Sequence, residues 1–347
     1  MDVMMDALCE EINLTDVPAS THIDTIYFGG GTPSLLSTAM LDLIFAALHQ
    51  KFTIAASAEI TLEANPDDIN PDKLFQWKQS GINRLSVGLQ SFDDAELAWM
   101  NRAHNSADSL RCLDEIHDAG FINFSIDLIY GSPLLTNETW KKNVAIVLEK
   151  KIPHISCYAL TVEPSTALFK MIEQHKKAPV DAEKQATQFL LLMQWMEQAG
   201  YEQYEISNFC KPGSRSLHNS SYWQGKHYYG FGPSAHSFDG KKRKWNIANN
   251  ALYTKAILQG NIPAEEETLT ETQQLNEYIM TSLRTSEGTH LRHIENKFGD
   301  EKSRKLYTAL QKWIVSKKLV VADEKIILTT EGKLFADGIA ADLFFLE

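Results

Sequence analysis

Short runs of β-branched and aromatic residues recur roughly every 30 residues over the first two-thirds of this chain, each followed by a helical pattern. That recurrence narrows the fold more than any other feature. Parallel neighbours in a sheet cannot be joined by a tight turn and need a crossover, usually a helix. The pattern predicts strands over 23–28, 59–63, 83–89, 121–129, 154–160 and 201–206. Helices are predicted over 35–51, 71–80, from 93 onward, 106–119, 137–150 and 181–199. A further helix over 1–15 has no strand before it. The first strand stops at Gly29, Gly30 and Gly31, followed by Thr32 and Pro33. Three glycines remove every Cβ and open positive φ, so a ligand can lie against main-chain N–H groups. Neither the lysine of a phosphate loop nor the spacing of a dinucleotide fingerprint follows them. Five or six βα units without that fingerprint favour a parallel barrel.

In a barrel the C-terminal strand ends form the active face. Residues 29–32, Glu63, Gln90, Asp127 and Thr161 fall at or near those ends, on different strands. Any one of them reads plainly as a turn former or helix cap. Several on one rim read as a pocket for a polar small molecule. The formal charge of −12 argues against bulk binding of nucleic acid, and the basic run KKRK at 241–244 reads as a solvated turn. No apolar stretch approaches the roughly 18 residues of a membrane span. The first residues carry neither a basic region nor an apolar core, so a cytoplasmic location is expected. Cys9, Cys112, Cys157 and Cys210 stand far apart in sequence, so no CxxC-type metal site is legible.

After residue 206 the texture changes. Residues 207–245 are rich in Gly, Ser, Asn and aromatics and read mostly as loop. A short helix is expected over 251–260 and a linker over 261–267. Residues 270–347 read as helices at 270–283, 291–297 and 302–317, then a hairpin of 319–322 with 325–328, then a last helix. That is a winged-helix order, but with fifteen acidic and eleven basic residues in 265–347 it does not read as DNA-binding. The expected division is 1–206 for the barrel, 207–264 for the aromatic-rich connection and 265–347 for the winged-helix-like unit.

Six stretches in this order resemble the radical-SAM coproporphyrinogen dehydrogenase family and, within it, the HemW-type heme chaperones. They are YFGGGTPS (27–34), EANP (63–66), GINRLSVGLQSF (81–92), NRAH (101–104), DLIYGSP (127–133) and YEQYEISNF (201–209). The resemblance implies an incomplete parallel (β/α) radical-SAM barrel with a small C-terminal winged-helix-like domain. It implies that Gly30, Gly31 and Thr32 hold the methionine part of S-adenosylmethionine. Glu63, Gln90, Arg102 and Asp127 complete that pocket around its charged and ribose groups. The family's [4Fe–4S] cluster sits on a CxxxCxxC loop after the first strand, and this chain contains no such motif. Cys9 alone cannot replace three thiolates. Either the chain is shortened, so that the first strand and cluster loop are missing, or it is a cluster-less relative; the retained pocket residues favour the first.

HNSSYW at 218–223 matches the HNxxYW pattern that the resemblance associates with heme binding, giving His218, Asn219, Tyr222 and Trp223 as heme residues. Imidazole ligates heme iron, and Tyr and Trp offer flat faces to a macrocycle. Read without the resemblance, the same residues simply pack a loop onto the barrel. The function implied is heme binding and delivery to acceptor proteins, membrane-bound ones included as transient contacts, by a monomer or homodimer. Two alternatives stay open: an oxygen-independent coproporphyrinogen III oxidase of porphyrin biosynthesis, and a radical-SAM enzyme with another substrate.

Overall fold

Each crossover helix returns the chain to the same end of the sheet, so successive βα units lay their strands down side by side. The computed structural model describes residues 2–18, 21–164 and 166–346. It begins with α1 (Asp2–Leu14), β1 (His22–Phe28), α2 (Thr38–Lys51), β2 (Thr53–Ala64), α3 (Pro71–Gln79) and β3 (Arg84–Gln90). Next come α4 (Asp94–Trp99), α5 (Ser106–Asp118), β4 (Phe124–Tyr130), α6 (Asn137–Glu149) and β5 (His154–Ala159). The unit closes with α7 (Ala167–Glu173), α8 (Ala182–Gln198), β6 (Glu202–Glu205) and β7 (Asn208–Cys210). Side chains of Ser37, Asn70, Asp93, Asn105, Thr136 and Asp181 accept from the first-turn N–H groups of the helices they open.

The seven strands run in the order β1-β2-β3-β4-β5-β7-β6. Pairing is parallel from β1 through β5 and antiparallel from β5 to β7 and β7 to β6. The sheet curls into a half-barrel. The strand expected at 201–206 is present as β6 and points the same way as β1 to β5, but the reversed β7 stands between it and β5. The two-residue gap between β6 and β7 permits only a hairpin, and a hairpin reverses direction. Fully buried Leu62, Leu85, Val87, Ile126, Leu128 and Ile155 face the helices and carry the core.

Two expectations for the next region fail. Residues 217–223 are not loop but a helix, α9 (Leu217–Trp223), capped by Ser216. Within the expected turn at 241–244 and linker at 261–267, residues 242–244 and 264–267 are instead strand, parts of a three-stranded antiparallel sheet. It comprises β8 (His236–Phe238), β9 (Lys242–Asn246) and, after α10 (Asn250–Ile257), β10 (Ala264–Thr268), in the order β10-β9-β8. The basic run of β9 lies opposite the acidic run of β10, with Lys244 across from Glu266 and Arg243 across from Glu267. Cross-strand charge pairing, absent from either segment alone, makes strands of both.

The remaining elements are α11 (Glu271–Leu283), β11 (Thr289–His290), α12 (Leu291–Phe298), α13 (Asp300–Val315), β12 (Leu319–Ala322), β13 (Lys325–Leu328), α14 (Thr330–Lys333) and α15 (Ala336–Asp342). They enclose a second core around Leu275, Ile279, Ile294, Leu310 and Ile326, with the hairpin where the sequence pattern set it.

Candidate functional site

In a strand covered on both faces, apolar residues normally run without interruption. Here polar residues alternate with apolar ones, and the alternation builds a polar lumen. On β1 it sets Thr25 and Tyr27 on one face, on β2 Glu59, Thr61 and Glu63, on β3 Arg84 and Ser86. β4 adds Ser125 and Asp127, and β5 adds His154, Ser156 and Tyr158. Register aligns them in rows: Thr25 with Glu59, Tyr27 with Thr61 and Arg84, Glu63 with Ser86, Ser125 and His154, Asp127 with Ser156 and Asn208. All of these except Thr25, Glu59 and Thr61 line a cavity of about 290 Å³ whose remaining wall includes Ser216, His218, Asn219 and Tyr222 of the α9 region.

The glycine stretch forms the rim beside β1. Gly30 and Gly31 have φ of 77° and 67°, so glycine is needed there for backbone geometry. A Cβ on Gly29 would instead strike the Tyr27 ring at 2.6 Å. The Gly30 N–H donates to one Glu63 oxygen at 3.2 Å and the Tyr27 hydroxyl to the other at 2.7 Å. Burial and the Glu63 charge push the Tyr27 phenol up, so it stays protonated and donating. Burial raises the Asp127 carboxyl to about 6, with Glu63 adding to the rise and a Ser156 hydrogen bond opposing it.

Gln90 leaves β3 with φ of 69° at an irregularity in the β3–β4 register. Arg102 donates to Asn65 Oδ1 at 3.0 Å and to the Gly88 carbonyl at 2.9 Å. A Cβ on Gly88 would lie 3.1 Å from Gln90 Nε2 and 3.5 Å from Arg102 Nη2, so the two side chains converge over that glycine. Gly30, Gly31, Thr32, Gln90 and Arg102 are not part of the cavity wall, whereas Glu63 and Asp127 are. Thr161 joins neither group; its hydroxyl is turned to the Ala159 carbonyl.

The motif helix is tied to the lumen by β2. Glu59 accepts from Ser216 Oγ at 3.2 Å, Leu217 N at 3.0 Å and His218 N at 2.9 Å. A carboxylate at a helix N-terminus satisfies free N–H groups and meets the positive end of the dipole. His218 is thereby stacked on Tyr27, with ring centroids 4.7 Å apart, and its Nδ1 lies 2.8 Å from Thr25 Oγ1. Burial lowers its pKa to about 4, the Arg84 charge reinforcing that and Glu59 opposing it. Asn219 donates to the Tyr204 hydroxyl at 3.0 Å, which lies 2.8 Å from His154 Nε2. Tyr222, 44% exposed, sets its ring edge-on to His218. Trp223 stands apart from the cavity, under the Arg284 guanidinium at 5.2 Å, with its indole N–H buried and unpartnered among the described residues.

Three of the four motif residues thus line the same cavity as Glu63 and Asp127. The strand-interior residues Thr25, Glu59, Arg84, Ser86, Ser125, His154 and Ser156 are not legible from strand ends. The period-two polar positions within the strands carried the signal.

Residues 14–147 match the Radical SAM superfamily and residues 269–335 the HemN C-terminal domain. The chain is 31% identical over 343 residues to "Heme chaperone HemW" of Bacillus subtilis (strain 168), covering 98% of this chain and 90% of that protein. The chain belongs to the HemW family. A second member, "Heme chaperone HemW" of Lactococcus lactis subsp. lactis (strain IL1403), is 32% identical, covering 96% of this chain and 86% of that protein. This chain shares its architecture with a solved structure titled "Coproporphyrinogen III oxidase (HemN) from Escherichia coli is a Radical SAM enzyme." That structure superposes with a TM-score of 0.83 at 23% identity, over 99% of this chain and 83% of that one. At that identity the likeness is one of fold.

Proposed function

We propose that this chain binds heme at the mouth of the lumen, delivers it to acceptor proteins, and holds S-adenosylmethionine on the adjoining rim. The observation that carries the heme reading is the presentation of His218. In the tautomer whose Nδ1–H donates to Thr25 Oγ1, the lone pair rests on Nε2, which has no hydrogen bond among the described residues. The lowered pKa keeps the ring neutral near pH 7. Metal-binding imidazoles are characteristically held in this way through their other nitrogen. When bound, heme supplies an iron that takes an axial imidazole, and S-adenosylmethionine a sulfonium with amino-acid and ribose ends.

His218 is the proposed iron ligand, Asn219 orients the helix through Tyr204, and Tyr222 offers its exposed ring to the macrocycle. Trp223 contributes by fixing α9 rather than by touching heme. For S-adenosylmethionine, Gly30, Gly31 and Thr32 take the methionine end; Glu63, Gln90, Arg102 and Asp127 take its charged and ribose groups. The same reading keeps the division at 1–206, 207–264 and 265–347, a cytoplasmic location, and a monomer or homodimer. The residues present do not fit a [4Fe–4S] cluster: Cys9 is half-buried, the other three thiols are buried, and none forms a metal-holding group among the described residues. No reductive step is assigned to this chain.

The test is a hemin titration of wild type and His218→Ala, with melting curves beside the spectra. The heme band should vanish or shift in the variant while the fold persists. Equal affinity in both proteins removes His218 from the site and favours the oxidase alternative.

A further inference from the structure

The lumen floor holds a charge that the roles above leave unused. Arg84, at the start of β3, is 2% exposed and belongs to the cavity wall. None of its nitrogens makes a hydrogen bond among the described residues, and its Nε is fully enclosed without a partner. The nearest carboxylate, Glu59, lies 3.7 Å away and is engaged by the three donors at the start of α9. Glu63 is likewise taken up by Tyr27 and Gly30. Two further buried polar atoms nearby, His154 Nδ1 and Thr61 Oγ1, also lack partners among the described residues, and Thr61 is paired in register with Arg84. Isolating a guanidinium from water without hydrogen-bonded partners is costly, and leaving several polar atoms around it unspent compounds the cost. A planar two-oxygen anion is the group that repays it, because the guanidinium fork matches a carboxylate.

We propose that Arg84 is the receptor for a ligand carboxylate that enters the lumen from the mouth beside His218 and Tyr222. A cavity of about 290 Å³ accepts a carboxylate arm but not a whole tetrapyrrole. The body of the ligand therefore stays at the mouth or rim and one acidic arm reaches the floor. Two carriers have such an arm: a tetrapyrrole, through a propionate, and S-adenosylmethionine, through its amino-acid carboxylate, in which case that carboxylate lies in the lumen rather than on the Gly30–Thr32 rim. The choice of carrier rests on the function proposed above; the receptor rests on Arg84 alone.

Two ligand pairs separate the possibilities by calorimetric titration of the full chain. The first is heme against heme dimethyl ester; the second is S-adenosylmethionine against its decarboxylated form. In wild type the acid member of one pair should bind roughly tenfold or more tightly than its counterpart, as expected for a charge-assisted bidentate contact. That preference should disappear in Arg84→Gln and partly return in Arg84→Lys. The pair that shows it identifies the carrier. If wild type binds no heme yet prefers intact S-adenosylmethionine, the heme reading fails and the receptor stands. Affinities within about twofold in both pairs overturn the proposal, as does an undiminished preference in Arg84→Gln. Melting curves check folding; should Arg84→Gln not fold, the wild-type pairs and Arg84→Lys decide.

Discussion

Thr25 separates the two lives available to His218. If the imidazole is an iron ligand, Thr25→Val should weaken heme binding about ten- to a hundredfold by loosening ring orientation and tautomer. If His218 only anchors α9, the variant lowers the melting temperature and leaves the heme spectrum unchanged. The pH dependence of stability gives an independent handle. His218 titrates near 4 when folded, below its ordinary 6.5, so the unfolded chain binds more protons between those values. Its contribution is fully present above 6.5 and is lost as pH falls towards 4. Asp127 works in the opposite direction. Its folded value of about 6 exceeds the ordinary 3.8, so between these the folded chain holds the extra proton and acid stabilises it. The two contributions oppose one another across pH 4–6. Relative to wild type, Asp127→Asn should lose more stability on acidification from pH 6 to 4, and His218→Ala should lose less. Parallel curves for all three proteins show that neither group titrates as its surroundings dictate.

At the scale of elements, α9 is seven residues long and survives because β2 caps it. Glu59→Gln keeps the size but halves the acceptor capacity and removes the only carboxylate within 4 Å of Arg84 among the described residues. A loss of about 2–4 kcal/mol is expected, since hydrogen bonds to a charged acceptor and a buried ion pair both go. Hydrogen exchange should rise most at 216–223; uniform loosening of the sheet would instead point to β2 itself. The βα alternation made the five parallel strands legible, because β-branched runs, capping residues and crossover lengths all agree. The α9 helix was not legible, since HNSSYW has poor helix formers and its capping carboxylate lies 157 residues away in sequence. The strands β8 to β10 were hidden for the same kind of reason: three to five residues each, with their charge complement on another segment. At the site, the glycine rim, Glu63 and Asp127 could be read from strand ends. The convergence of His218 with them could not, because nothing local in residues 207–245 says which face of the barrel they cover.

On the scale of the whole molecule, the C-terminal core packs over the far side of α9 and the β6 edge. Arg284, just past the C-terminal end of α11, covers Trp223, Arg215 pairs with Glu287 at 2.6 Å, and Lys333 donates to Gln203 at 2.7 Å. Glu205 also forms a backbone bridge to Thr285. The helix that offers His218 to the lumen is therefore held from both sides, by Glu59 within the barrel and by Arg284 outside it. Removing the outer contact should loosen the presentation without removing the ligand. Trp223→Ala and Arg284→Ala are each expected to weaken heme binding several-fold, by roughly 1 kcal/mol for a half-buried cation–π contact. Neither should abolish the heme band or change its position, because His218, Thr25 and Tyr27 remain in place. The double variant should cost little more than the worse single, since both substitutions break one contact. Titrating hemin into the four proteins checks this, with exchange at 217–223 as the structural readout. Additive losses would mean that Trp223 meets the ligand directly. Unchanged exchange in α9 would mean that the C-terminal core rests against this helix without holding it.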